Sequence, residues 1–122
     1  MKLDTASDLP IYLQITAEME DAIFTGAFPE EAQVPSTTEI SALLQVNPAT
    51  VLKGMNLLVD EGLLYKKRGL GLFVKEGAAD MIRKKRRQQF YEKYVVSLIR
   101  EARKLKLTQE EIMAWMERGF AQ

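Results

Sequence analysis

The sequence predicts a mainly α fold: a winged helix-turn-helix, made of helices and a β-hairpin, followed by a C-terminal two-helix unit. Three observations carry this. Ser36 and Glu39 form a capping box at one helix start, and Asn47-Pro48 opens the next helix after the short turn Gln45-Val46-Asn47. Two strand-like runs then flank Arg68-Gly69-Leu70-Gly71, whose glycines supply the positive φ angles of a tight hairpin. Beyond Ala78 the chain runs to Leu105 without proline or glycine, as a long helix would.

The elements follow in order. Residues 1–9 read as a flexible lead, residues 10–76 as the winged domain and residues 77–122 as a helical dimerisation region. Tyr12, Ile15, Met19 and Ile23 recur at helical spacing, so a first helix spans about Pro10 to Thr25, with proline in its first turn and Gly26 at its end. The segment AFPEEAQVP reads as a loop, because its prolines and polar residues break both periods. A second helix, about Thr37 to Leu44, is expected to bury Ile40, Leu43 and Leu44. The third extends to about Glu61 before Gly62, burying Val51, Met55, Leu58 and Val59 and turning Ala49, Thr50, Lys53 and Asn56 outward. Gly54 within it costs about 1 kcal/mol relative to alanine, which predicts close approach of another helix. The strands are Leu63 to Lys67 and Leu72 to Lys75. The long helix carries Tyr91, Tyr94, Val95, Leu98, Ala102 and Leu105 in a near-heptad pattern. Thr108 and Glu111 read as a second capping box, starting a last helix with Ile112, Met113, Trp115 and Met116 before Gly119. Two such helices cannot bury their apolar faces against each other alone, so a second copy of the chain is the expected partner, with Tyr91, Tyr94, Val95, Leu98, Ala102, Leu105, Ile112, Trp115 and Met116 at the interface.

Composition narrows the function. With 122 residues the chain holds one modest core and no separate catalytic domain. It lacks cysteine and histidine, which excludes disulfides, thiolate or imidazole zinc sites and histidine-based triads. No acidic cluster stands beside a phosphate loop or metal motif, so neither an enzyme nor a cofactor is expected. No apolar run approaches the roughly 20 residues of a membrane span, and the N-terminus lacks a signal-peptide pattern, so a cytoplasmic location is expected. The net charge of zero hides an asymmetry: up to Gly62 only Lys2 and Lys53 face ten acids, whereas the remainder holds fifteen bases and seven acids. A local basic face of this kind suits phosphates, and it equally suits pairing between subunits.

The candidate contacts to double-stranded DNA follow from these elements. Lys66, Lys67 and Arg68, beside the flexible tip Gly69 to Gly71, can track phosphates or enter a minor groove. Asn47, Ala49, Thr50 and Lys53 mark the entry end of a groove-reading helix, and Ser36, Thr37 and Thr38 offer a second helix start to phosphate. The basic run Arg83 to Arg87 is read as a solvated face or as a flanking phosphate contact.

Several spaced segments also resemble one family: PIYLQI at 10–15, Gly26, VPS at 34–36, Glu39-Ile40, TVLKGM at 50–55, DEGLL at 60–64 and RGLGLFV at 68–74. Together they resemble the GntR family of bacterial transcription regulators over about residues 10–75, and Asn47-Pro48 with two helices after the wing is similar to its YtrA branch. The resemblance implies a homodimer on a pseudo-palindromic operator, the third helix in the major groove and the wing tip near the minor groove. It also implies repression of the protein's own operon, often with ABC transporter genes, and leaves open whether a small-molecule effector binds. The family pattern has arginine at the positions of Thr38, Pro48 and Leu52 and a loop glycine at that of Glu31. The missing arginines, with the acidic first half, also fit an alternative: a protein-interaction adaptor on a winged-helix shell.

Overall fold

A computed structural model describes all residues from Met1 to Gln122. The chain forms two compact units, residues 1–84 and 85–122. In the first, α1 (Ile11–Thr25), α2 (Thr37–Leu44) and α3 (Pro48–Asp60) precede an antiparallel hairpin of β1 (Leu64–Lys67) and β2 (Gly71–Val74). Its core gathers Ile15, Met19, Ile23, Ile40, Val51, Met55, Leu58, Leu64, Val74 and Ile82, all essentially inaccessible to water. Ile82 belongs to α4 (Ala78–Phe90), so the chain leaving the wing completes this core.

The helix starts form as their chemistry requires. Ser36 Oγ accepts from Glu39 N at 3.1 Å while Glu39 Oε1 accepts from Ser36 N at 3.2 Å, a full capping box. Asn47 Oδ1 accepts from Ala49 N at 2.8 Å, and Pro48 follows as the first helical residue. Gly54 is where α1 and α3 meet: a Cβ there would stand 2.6 Å from Tyr12 O, and the Thr16 hydroxyl donates to Gly54 O at 2.7 Å.

Packing revises several local expectations. Pro10 caps α1 rather than occupying its first turn. The expected flexible lead is tied down by buried Gln14, whose side chain accepts from Asp4 N at 2.7 Å and donates to Asp4 O and Leu9 O. The expected loop before α2 pairs with the wing: Glu31 N donates to Val74 O, Val74 N to Ala32 O and Val34 N to Leu72 O, so it supplies the hydrogen-bond partners that a two-stranded hairpin leaves unmet on β2. Leu43 is 75% exposed, because α2 turns only a narrow face, centred on Ile40, into the core. Val59 is half-buried.

The predicted C-terminal helix forms without a break but changes its winding part-way. After α4, residues Tyr91–Val96 adopt a π-helical turn before α5 (Ser97–Lys104). The wider turn resets the side-chain phase: Tyr91 shares a shallow groove with Val96, Ile99, Arg100 and Arg103, a spacing that a straight heptad would not give. Thr108 Oγ1 accepts from Glu111 N at 3.1 Å, so only that half of the expected capping box forms. The last helix, α6 (Gln109–Phe120), runs through Gly119.

Candidate nucleic-acid interface

The wing is the better-defined part of the site. Register pairs Lys67 with Gly71 and Tyr65 with Phe73, so alternation along β1 puts Lys67 on the face of Tyr65 and Lys66 on the other. Lys67 Nζ rests 4.2 Å from the centre of the Phe73 ring, and Lys75 Nζ lies 5.6 Å from that of Tyr65. Such contacts hold a cation against one face of the hairpin. Lys66, Lys67 and Arg68 are all exposed. Of the three cations expected to act as one cluster, Lys67 differs from the other two in resting on an aromatic ring.

The tip is braced from outside the hairpin. Leu70 N donates to Lys67 O at 2.9 Å, closing the turn, and Gln33 Nε2 donates to Leu70 O at 2.5 Å. Gly71, at φ 127°, leaves room for that amide: a Cβ there would meet Gln33 Nε2 at 2.8 Å. A further tie lies at the base of the wing, where Glu31 accepts from the Tyr65 hydroxyl at 2.6 Å and from Glu76 N at 3.1 Å. The Glu31 hydrogen bond, with smaller contributions from desolvation and the carboxylate's charge, raises the Tyr65 pKa above its ordinary value.

The helices distribute their candidates differently from expectation. Lys53 is exposed on α3, yet its ammonium sits 4.0 Å over the Tyr12 ring of α1. Thr50 is half-buried, whereas Ala49 and Asn47 are exposed. At the α3 start Pro48 has no amide hydrogen, Ala49 N is bonded to Asn47 Oδ1, and Thr50 N is bonded to Asn47 O at 2.9 Å. That helix end consequently has its first amides satisfied internally, contrary to the phosphate site expected there. At the α2 start the capping box uses Glu39 N, and Thr37 turns its hydroxyl to Met55 Sδ at 3.5 Å. Thr38 is exposed beside it. In the basic run, Arg83 pairs with Asp80 and lies 5.7 Å over Phe24.

The expected interface residues form a mostly uncovered apolar set in the second unit. Ala102 is buried, Val95, Leu98 and Ile112 are half-buried, and Tyr91, Tyr94, Leu105, Trp115 and Met116 are exposed. Sequence reasoning missed Gln33 and Leu70. Nothing marks Gln33 locally, since its partner lies 37 residues away; an apolar residue between two tip glycines was a usable signal for Leu70.

The family model described as bacterial regulatory proteins, gntR family, matches residues 11–74, from the first residue of α1 to the last of β2. The chain belongs to the GntR family. Among GntR-family and other regulatory relatives, the HTH-type transcriptional repressor YtrA of Bacillus subtilis is 32% identical over 78 residues, covering 64% of this chain and 60% of the repressor. The match thus spans less than two thirds of that relative. A crystal structure of a GntR-family regulator from Bacteroides thetaiotaomicron superposes with a TM-score of 0.76 at 32% identity, covering 92% of this chain and 97% of that one. The AraR DNA-binding domain, solved in complex with operator ORX1, gives a TM-score of 0.55 at 30% identity, covering 61% of this chain and 92% of that one. No helix here is long and apolar enough to cross a membrane.

Proposed function

We propose that this GntR-family protein is a sequence-specific DNA-binding transcriptional repressor that acts in the cytoplasm as a homodimer on its own operon, with ABC transporter genes among its targets. The observation that carries this reading is the braced wing, which holds Lys66 and Arg68 outward beside a tip of fixed geometry, in a chain similar to an operator-bound domain. Lys66 and Arg68 contact phosphates or the minor-groove edge, while Ala49 and Lys53 face the major groove and Thr38 lies at a phosphate. Lys53 reaches DNA by leaving the Tyr12 ring, a contact worth only about 0.5–1 kcal/mol at an exposed site. The missing arginines at Thr38, Pro48 and Leu52 shift recognition toward the wing and DNA shape. The apolar residues of α6 and of the preceding helix join two copies, so that two half-sites are read together.

Fluorescence anisotropy on the DNA upstream of its own coding sequence, beside scrambled DNA of equal length, tests this. Preferential binding that weakens with salt is expected. Equal binding to both at moderate salt would favour the adaptor reading instead.

A further inference from the structure

The tip of the wing carries an exposed apolar side chain. Leu70 is 63% exposed, is absent from the core and its packed periphery, and stands between Gly69 at φ 77° and Gly71 at φ 127°. Its backbone is nevertheless held at both polar groups, through Lys67 O and Gln33 Nε2. A side chain with no folding role is thus presented on a fixed backbone, flanked by the outward charge of Arg68.

An apolar group at that place has specific consequences in a minor groove. It offers nothing to phosphates and cannot hydrogen-bond a base edge. The floor of the groove shows acceptors at A·T and T·A pairs, and at G·C adds one donor, the guanine 2-amino group. That donor projects toward the groove and, covered by a leucine, loses its water without gaining a partner. Leaving a donor unsatisfied costs about an order of magnitude in affinity or more. The flatter A·T floor avoids the projecting group and has no donor to strand.

We propose that Leu70 is a specificity-determining residue that imposes an A·T requirement on the minor-groove segment beneath the wing by excluding the guanine 2-amino group. Gln33 is its positioning residue. The inference rests on the DNA-binding reading above and adds to it a sequence preference arising from repulsion, where the wing's cations supply only attraction.

Nucleotide analogues isolate the group concerned. A duplex is selected from random DNA with the full-length chain, and each A·T pair is replaced in turn by G·C, by inosine·C, which lacks the 2-amino group, or by 2,6-diaminopurine·T, which adds it. At the wing position, G·C and diaminopurine·T should weaken binding about tenfold, with inosine·C close to A·T. In Leu70→Ser, whose hydroxyl can accept from the amino group, the affinity ratio between the parent and the G·C or diaminopurine·T duplexes should fall from about tenfold to within about twofold. Gln33→Ala should lower the ratio of affinities between the A·T and the G·C or diaminopurine·T duplexes, over and above any loss of affinity common to all of them. Tolerance of diaminopurine at every position would overturn the proposal, as would discrimination that survives Leu70→Ser and disappears in Arg68→Ala, the mark of an arginine reading groove width. Failure of the unmodified chain to select any duplex over scrambled DNA would instead remove the DNA-binding reading, and this inference with it.

Discussion

Glu31 occupies a left-handed backbone position, φ 67°, where the family pattern has glycine. The conformation costs a non-glycine residue roughly 1–2 kcal/mol, and the side chain returns some of it by accepting from Tyr65 and from Glu76 N. Glu31→Ala keeps the strain and loses both bonds, so it should melt lowest of the series. Glu31→Gly loses the bonds but releases the strain, and should lie about 1 kcal/mol above the alanine variant in urea unfolding. The Tyr65 phenol has its pKa raised in the folded state, so its contribution is complete below the unfolded tyrosine value and is lost as pH rises through the higher folded one. Protection of the wing amides, relative to their intrinsic exchange rates, should therefore hold constant through neutral pH in the parent and be lower in Tyr65→Phe. Gly54 is constrained by packing. Gly54→Ala gains about 1 kcal/mol of helix propensity but drives a methyl toward Tyr12 O, and a net loss of about 1–3 kcal/mol is expected in urea unfolding. Unchanged stability would show that α1 can move away.

Among the elements, the wing assigns separate tasks to adjacent charges. Lys66→Ala and Arg68→Ala should each lower the slope of log affinity against log salt by about one per bound wing, whatever the DNA sequence. Lys67→Ala should alter that slope less, because its ammonium lies over Phe73, and should loosen the hairpin instead. Equal slopes for all three variants would show that Lys67 leaves the ring on binding. In the second unit, the π turn at Tyr91–Val96 is the corresponding device: by resetting the side-chain phase it puts Tyr91 and Val96 on one groove and leaves Val95 and Leu98 half-buried. The Ser36–Glu39 capping box, the Thr108 cap and Asn47-Pro48 were legible in the chain because they join residues two or three positions apart. The π turn was not, since YEKYVV carries no proline, glycine or other local mark of a change in register.

For the whole molecule, the uncovered apolar residues set the expected assembly. Leu105 is 69% exposed, Trp115 49% and Phe120 90%, more large apolar surface than a short helical unit leaves bare without use. Trp115→Asp should convert a dimer to a monomer in sedimentation velocity and weaken operator binding by well over tenfold, because the second half-site is then no longer bound intramolecularly. An intact Trp115→Asp dimer would place the interface elsewhere. Leu98→Asp is a less direct probe, since Leu98 is half-buried within its own unit and its loss also disturbs that unit.

Helix starts, the hairpin, the order of elements and the family pattern could all be read from the chain alone, because each rests on apolar periodicity or on bonds between near neighbours. Even the Gly54 contact was foreseeable, as a helix does not accept glycine in its middle without a neighbour nearby. Folding was needed to reveal that Gln14 ties down the lead through Asp4 and Leu9, that the loop before α2 pairs with β2, and that Gln33 braces the tip. These features join residues five to 43 positions apart along the chain, from Leu9 with Gln14 to Glu31 with Val74. Their hydrogen bonds form because burial and strand pairing require every polar group to find a partner, and no residue carries its distant partner's position in its own local pattern.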